Sequence, residues 1–499
     1  MPLLDALSLD LGRRKDVPLW RQIRDEVMDG IARGTIRPGE RLPSTRDLAQ
    51  AWGVSRNTVV LAFEQLAAEG LVEGLSGSGT YVAPQPPART AVRTDPHGRI
   101  NPAILAAGSL DRAIRGSSAL TQVHATLRHM RRPVAFRSNF PAIDAFPIQL
   151  WAKLAADIYR RLDATTANDL MGEGDPQGYL PLREAIAAHV ADGRGIACSA
   201  DDIIIFAGVQ QAVDLACRLL LIAGDKVLCE DPGYPGICAS VTAAGSVPVS
   251  APVDAHGMDV HEALRRAPDA RMAYTTPSKQ FPTGVTLDME RRRALVDWAD
   301  RVDGWIIEDD YDSEFRYTGR ALPTLFEMDR SGRVLYLGTF SKTLFPALRL
   351  GFAILPPPLV EAFVSARTVV GRYSPILDQV LVARFMQEGH FASHVRKMRK
   401  LYLRRQACLL DAVRTHLSDY LVPQETDTGM EIVATLRGGI GAHRLADAAA
   451  AQGLEIMPLS SLAREVDADR QIALGFSAFS PDQITDGVAR LQAVCRGLS

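Results

Sequence analysis

A lysine that could act as a nucleophile stands among hydroxyls in the run Tyr336-Leu337-Gly338-Thr339-Phe340-Ser341-Lys342-Thr343, with Arg349 seven residues beyond it. A buried amine with a lowered pKa forms a Schiff base with a carbonyl. Thr339, Ser341 and Arg349 offer donors for a phosphate on the same molecule. Gly208-Val209-Gln210-Gln211 supplies a second phosphate-binding candidate, because the free N–H groups and dipole of a helix start favour anions. A third element is Ile307-Glu308-Asp309-Asp310-Tyr311. One of its carboxylates could keep a pyridinium nitrogen protonated, and the tyrosine could bond a phenolic oxygen.

Taken singly these features are bland. A Ser-Lys pair is usually surface, an acid run after a strand is usually solvated, and a lone arginine is usually an ion-pair residue. Together they form the partner set that a pyridoxal 5'-phosphate site needs. The elements that must position them are short apolar runs at Ile203–Phe206, Lys226–Cys229, Met272–Thr275, Trp305–Ile307, Val334–Leu337 and Leu350–Ile354. Helical patterns at Val209–Leu221 and Met289–Arg301 lie between them. Alternating strands and helices predict a mostly parallel sheet covered on both faces. The candidate residues then fall at strand carboxyl ends, where open α/β sheets bind ligands. A long helix over Phe391–His416 and strands at Glu431–Leu436 and Gln471–Phe476 predict a second α/β segment.

The N-terminal part reads differently. Leu19, Ile23, Val27 and Ile31 recur every four residues, which predicts an amphipathic helix. Ser44 and Ser55 cap a second and a third helix, and Gly53 and Gly70 stop them. Leu71–Glu73 and Thr80–Ala83 flank a glycine-rich turn. Three helices and a hairpin make a winged helix-turn-helix. In such units the start of the recognition helix meets base edges in the major groove. Here that start is Ser55, Arg56, Asn57 and Thr58. Arginine suits guanine and asparagine suits adenine. Ser44 and Arg46 open the preceding helix, where phosphate is favoured, and Gly77 would let the hairpin tip approach the backbone. The bland alternative is a helical protein-interaction module.

Composition bounds these readings. The chain has 499 residues, 47% of them hydrophobic and 23% charged. That is ordinary globular usage, long enough for several domains, and it argues against collagen, coiled coil or wholesale disorder. The net charge is −2. This average hides a reader (1–83) at −1, a Pro-containing linker (84–134) at +6 and a remainder (135–499) at −7. The linker is read as a tether with a short helix near Leu120–Arg132. The six cysteines form no C-x-x-C and no metal spacing, so reduced thiols and no metal are expected. The N-terminus lacks the basic-then-apolar order of a signal peptide, and the longest apolar runs cannot span a bilayer. A cytoplasmic protein is expected.

Residues 18–82, with RLPSTRDLA, GVSRNTV and GSGTYV, resemble the winged-helix domain of the GntR superfamily. Residues 135–499 resemble the fold-type I aminotransferase domain, in the form fused to such a reader: the MocR family. The blocks NFPAIDAFPIQLW, DPQGYLPLREAIA, GVQQAVDL, EDPGYPG, TPSKQFPTG, EDDYDSEFRY and GTFSKTLFPALRLGF carry the resemblance. It implies Lys342 as the Schiff-base lysine, Asp309 (with Glu308 as rival) at the pyridine nitrogen and Tyr311 at the phenol oxygen. It also implies Tyr234 stacked on the ring, with Gly208, Val209, Gln210, Ser341 and Arg349 near the phosphate. The expected protein is a regulator that binds operator DNA as a head-to-tail homodimer and responds to a small amine or to the cofactor. The rival is a working aminotransferase with an accessory N-terminal domain.

The departures bear on that choice. A basic residue often precedes the wing's GSGT, and Leu75-Ser76 fill that stretch here. The family's usual histidine in TPSHQFPTG is Lys279, read as either an effector contact or a solvated substitution. The asparagine of the aminotransferase NPTG is absent, Gly236 stands where some members carry arginine, and Ala473 occupies the expected place of the carboxylate-binding arginine. Arg437, Arg464 and Arg470 remain candidates for that role. An ordinary α-amino acid thus lacks its expected partners.

Overall fold

The computed structural model describes residues 17–75, 79–84, 134–163, 167, 170–319 and 321–498. The chain divides into two compact units, described here in turn.

In the first, helix α1 (Leu19–Ala32) buries Ile23, Val27 and Gly30. Gly30 has a packing reason, since a Cβ there would stand 2.8 Å from Ile36. Helix α2 (Thr45–Trp52) starts at Ser44, whose Oγ accepts the Asp47 N–H, and ends at Gly53 with φ +64°. Helix α3 (Arg56–Ala68) starts at Ser55, whose Oγ accepts the Thr58 N–H. Caps of this kind are worth about 1 kcal/mol each. Strands β1 (Val72–Leu75) and β2 (Gly79–Val82) pair antiparallel, each within two residues of its predicted place. Ile23, Val27, Ile36, Leu48, Val59, Leu66 and Val82 close a common core. Gly77, the expected linker helix and the linker arginines lie outside the described residues.

The second unit is built on an eight-stranded sheet of order β3-β10-β9-β8-β7-β4-β5-β6. The strands are β3 (Ile203–Phe206), β4 (Lys226–Asp231), β5 (Val247–Asp254), β6 (Gly257–Met258), β7 (Met272–Thr275), β8 (Trp305–Asp309), β9 (Val334–Thr339) and β10 (Gly351–Ile354). Strands β4, β5, β7, β8 and β9 run parallel. The sheet is covered on both faces. In β3, Ile203 and Ile205 enter one apolar cluster and Ile204 and Phe206 the other, as the period of two requires.

Two departures from the sequence reading matter. Strand β10 is antiparallel to both neighbours, pairing Gly351 with Thr339 and with Phe206. Its beginning therefore lies at the same edge as the carboxyl ends of the parallel strands, and this brings Arg349 there. Strand β5 has no counterpart in the sequence reading, and it carries two prolines, Pro248 and Pro252. It is tolerated because only the two-residue β6 pairs on its outer side.

A smaller antiparallel sheet, β11-β12-β14-β13, follows: β11 (Leu421–Pro423), β12 (Glu431–Leu436), β13 (Met457–Pro458) and β14 (Gln471–Gly475). It packs with the helices His390–His416 and Pro481–Leu498 around Ile432, Ala434, Ile472, Leu474, Leu409 and Val488.

Candidate functional site

All ten residues expected to surround a cofactor line one cavity of about 210 Å³ at the carboxyl edge of the large sheet: Gly208, Val209, Gln210, Tyr234, Asp309, Tyr311, Thr339, Ser341, Lys342 and Arg349. Each reaches it for a local reason. Gly208 ends the loop after β3 with φ +103° and caps the helix Val209–Leu220, so that helix's free N–H groups face the cavity mouth. A Cβ at 208 would stand 3.1 Å from Arg349 Nη2, and one at Gly351 would stand 3.1 Å from the Val209 nitrogen. The positive φ favours glycine at 208, and close backbone approach favours it at 351. Arg349 donates to the Ala207 carbonyl at 3.0 Å and remains exposed. Thr339 ends β9, and its Oγ1 accepts the Ser341 N–H at 3.1 Å, which opens the short helix Phe340–Thr343 carrying Lys342.

Lys342 is half-buried, and its Nζ donates to the Asn139 carbonyl at 2.9 Å. Desolvation opposes the ammonium and pulls the amine down to about 8, against the pull of Glu431, Asp312 and Asp309. Asp309 is buried and accepts the Tyr274 hydroxyl at 2.6 Å through Oδ2. Burial pushes its carboxyl up to about 7, although the tyrosine bond works the other way.

Strand alternation separates Asp309 from its acidic neighbours. Glu308 accepts the Leu325 and Phe326 N–H groups at 3.0 and 2.9 Å, and Asp310 pairs with Arg194 at 2.9 Å and takes the Tyr336 hydroxyl at 2.6 Å. Of the three, only Asp309 lines the cavity. Tyr234 donates to Gln210 Oε1 at 2.7 Å. Gln210 in turn donates to Gly236 O and Ser240 Oγ, which fixes the ring.

Three buried polar atoms of cavity-lining residues have no hydrogen-bond partner: Asp309 Oδ1, Tyr311 Oη and Asn139 Oδ1. Buried polar groups are nearly always satisfied, so unsatisfied ones in a cavity point to a ligand. A carboxylate oxygen, a phenol, an amine and a rim of phosphate donors fit the ring nitrogen, phenolic oxygen, carbonyl carbon and phosphate of pyridoxal phosphate.

The cavity also contains residues that sequence reasoning missed. Asn139 sits in the left-handed region at φ +57°, a conformation asparagine tolerates, and that tolerance was its one sequence signal. Tyr274 is the single aromatic residue of the short buried strand β7. Thr276 and Phe281 complete the wall.

The effector candidates are not brought to the cavity. Lys279 is neither solvated nor open to a ligand. It is buried behind Tyr311, its Nζ 3.1 Å from Asp312 Oδ2 and hydrogen-bonded to Glu431. Burial opposes its charge, but the two carboxylates outweigh that and hold the ammonium above the ordinary lysine value. Arg464 donates to Pro248 O, Arg470 to Leu436 O and Gly438 O, and Arg437 is exposed. None of these lines the cavity. Ala473 is fully buried in β14 opposite Val433 and Met457.

In the first unit Ser44, Arg46, Ser55, Arg56 and Asn57 are exposed, and Thr58 is half-buried. Ser55 and Thr58 are tied to each other at the start of α3, leaving Arg56 and Asn57 to project. Among the described residues no helix is long and apolar enough to cross a membrane, and no group of His, Cys, Asp or Glu has metal-site geometry.

Comparison with known proteins agrees with both units. The aminotransferase class I and II family matches residues 133–464, and the gntR family of bacterial regulatory proteins matches residues 19–82. The chain is 37% identical over 485 residues to the probable rhizopine catabolism regulatory protein MocR of Rhizobium meliloti, spanning 97% of this chain and 95% of that protein. It is 32% identical over 488 residues to the HTH-type transcriptional regulator TauR of Rhodobacter capsulatus, spanning 96% of each. Among solved structures, the alpha-aminoadipate aminotransferase LysN of Thermus thermophilus, complexed with N-(5'-phosphopyridoxyl)-L-leucine, superposes with a TM-score of 0.68. It shares 27% identity over 75% of this chain and 95% of that one.

Proposed function

The chain belongs to the MocR-type transcriptional regulators, in which a gntR-family reader is joined to an aminotransferase-like domain, and from that footing we propose a pyridoxal phosphate-dependent sensor of amines. The reader binds operator DNA through Arg56 and Asn57, with Ser44, Arg46, Ser55, Thr58 and the Gly77 turn toward the backbone. The working form is a homodimer reading two half-sites.

One observation carries the cofactor half of this reading. Asp309 Oδ1, Tyr311 Oη and Asn139 Oδ1 are all buried and unpartnered around the cavity that also holds Lys342. Bound pyridoxal phosphate supplies a carbonyl carbon that condenses reversibly with amines. Lys342 is the group that holds it there. With its pKa near 8, roughly a tenth of this amine is neutral at pH 7, against about 0.03% for an ordinary lysine. Asp309 lies opposite the ring nitrogen, where a neighbouring positive charge would return its carboxyl to the ionised form. Tyr311 would meet the phenolic oxygen, Tyr234 would cover a ring face, and the Val209 and Gln210 N–H groups with Thr339, Ser341 and Arg349 would hold the phosphate.

With the cofactor held there, freeing of Lys342 by a competing amine would be a change that a two-state regulator could use, provided the two states differ in affinity for that amine. We favour sensing over turnover because Ala473 offers no charge to a substrate carboxylate and the three candidate arginines lie elsewhere. The aminotransferase reading keeps the complete cofactor set on its side. Two measurements test the proposal. Wild type loaded with cofactor should show a visible absorption band that Lys342→Ala lacks. Sustained keto-acid production at ordinary enzyme rates would overturn the regulatory reading.

A further inference from the structure

Resting on the cofactor reading above, the charges around Lys342 bear on the class of amine that is recognised. Two cations line the cavity, Lys342 and Arg349. Arg349 belongs to the Gly208 end, where it touches the phosphate-donor loop. A third cation, Lys279, lies 5.9 Å from the centre of the Tyr311 ring, but it is already engaged. Asp312 and Glu431 both accept from it, and all three side chains are at most 2% exposed. It fills the space above Gly429, where even a Cβ would collide with it.

The cluster connects directly to the cavity wall. The second oxygen of Glu431 accepts the Asn139 N–H at 2.9 Å, and the Asn139 carbonyl accepts from Lys342. Behind the Lys342 end there are thus two carboxylates and one ammonium. On its surface the unengaged groups include two acceptors, Asn139 Oδ1 and Asp309 Oδ1. Asp309 is claimed by the ring nitrogen, which leaves Asn139 for the ligand. Among the described residues no second guanidinium lines the cavity.

We propose that the Lys342 end selects primary amines that carry no carboxylate beside the amino group, through the two carboxyl groups of the Lys279–Asp312–Glu431 cluster and the free side-chain oxygen of Asn139. A carboxylate there would be desolvated beside carboxyl groups, with Lys342 the one cation near it and no guanidinium outside the phosphate end among the described lining residues, and such juxtapositions are unfavourable. A cationic or neutral amine meets acceptors instead.

The test uses full-length protein loaded with pyridoxal phosphate and matched pairs: putrescine against ornithine, ethanolamine against serine, agmatine against arginine. Changes in the cofactor absorption band and in melting temperature are followed with concentration. The amines should act at concentrations about tenfold or more below their amino-acid partners. Amino acids that act as well as the amines, or pairs in which neither acts, overturn the proposal. Glu431→Gln, which removes one charge, should shrink the ratio several-fold. An unchanged ratio in a cooperatively melting variant assigns the selection elsewhere and also overturns it. If that variant does not fold, the wild-type pairs decide alone. A wild type without a Lys342-dependent band refutes the cofactor reading itself, and this inference with it. With the band present, the pairs report on selection only.

Discussion

The Nζ of Lys342 is hydrogen-bonded to the main-chain oxygen of Asn139, 203 residues earlier in the chain. The lysine lies in the short helix after β9, and the asparagine lies in the first stretch described after the linker. The bond ties the amine to backbone rather than to a carboxylate, so nothing close compensates its desolvation fully. The pKa near 8 in the fold against 10.5 in the open chain has a stability consequence. The folded state binds fewer protons than the unfolded state between these values, so the penalty is full below pH 8 and disappears as pH rises toward 10.5. Lys342→Met should therefore stabilise the cofactor-free protein by ~2 kcal/mol near pH 7, with the gain fading above pH 8. Denaturant unfolding of both proteins across pH 7 to 10 measures it. A gain independent of pH would mean the lysine is not strained by burial.

Asp309 is the acidic counterpart. Its carboxyl titrates near 7 in the fold against 3.8 unfolded, chiefly through burial. The sign is that of a raised carboxyl: the penalty is absent below about pH 4, grows to pH 7 and is full above it. Asp309→Asn keeps the Tyr274 bond and removes the charge. It should raise cofactor-free stability at pH 8 by ~3 kcal/mol, leave it unchanged at pH 4, and weaken pyridoxal phosphate binding at least tenfold. Calorimetry at the two pH values and a cofactor titration read both effects. Stabilisation without loss of affinity would remove Asp309 from the site.

Much of this site was legible because its residues sit at ends of strands. Gly208, Asp309, Thr339 and Lys342 follow apolar runs, and a strand's direction carries the residue after it to one edge of the sheet. Arg349 reached the same edge by another route, since β10 is antiparallel and its preceding residue, not its following one, arrives there. What stayed hidden depends on contacts far apart in the chain. Asn139 lies in a segment without periodicity. Lys279 and Glu431 are 152 residues apart, and no spacing rule joins them. The direction of a side chain around the smaller sheet is likewise set by packing, which is why Arg437, Arg464 and Arg470 could be named as candidates and yet do not line the cavity.

Gly208 tests the phosphate end. Its φ of +103° strains any other L-residue, and a Cβ would press to 3.1 Å from Arg349. Gly208→Ala should lower stability by about 1–2 kcal/mol. It should also weaken pyridoxal phosphate and inorganic phosphate together, as measured by thermal shift. Weakening of the cofactor alone would place the phosphate elsewhere.

Arg56 is exposed at the first position of α3, beyond the Ser55 cap, and the cap bond does not depend on it. Arg56→Ala should cost about 1–3 kcal/mol against operator duplex, roughly ten- to a hundredfold in affinity, with little change on scrambled duplex. The cofactor band should be untouched. Fluorescence anisotropy with both duplexes separates a base contact from a phosphate contact, because equal losses on both would make Arg56 a backbone residue.

Lys279 is the cation paired with two buried carboxylates, Asp312 at 3.1 Å and Glu431. Removing one partner of a buried ion cluster costs more than the cluster contributes, because it strands the remaining charge. Lys279→Met should therefore destabilise by about 3–5 kcal/mol at neutral pH. The loss has a direction in pH. Burial already holds the Asp312 carboxyl near 7 with the lysine present, and without it the carboxyl rises further. Protonation then relieves the stranded charge, so the gap between variant and wild type should be widest above pH 7 and narrow as pH falls toward 4. Lys279→Met,Glu431→Gln should recover part of the loss, since only Asp312 is then left charged. Unfolding free energies of the three proteins at pH 5 and 8 decide it: a double variant no more stable than the single one would show that Lys279 acts by filling space above Gly429 rather than by its charge.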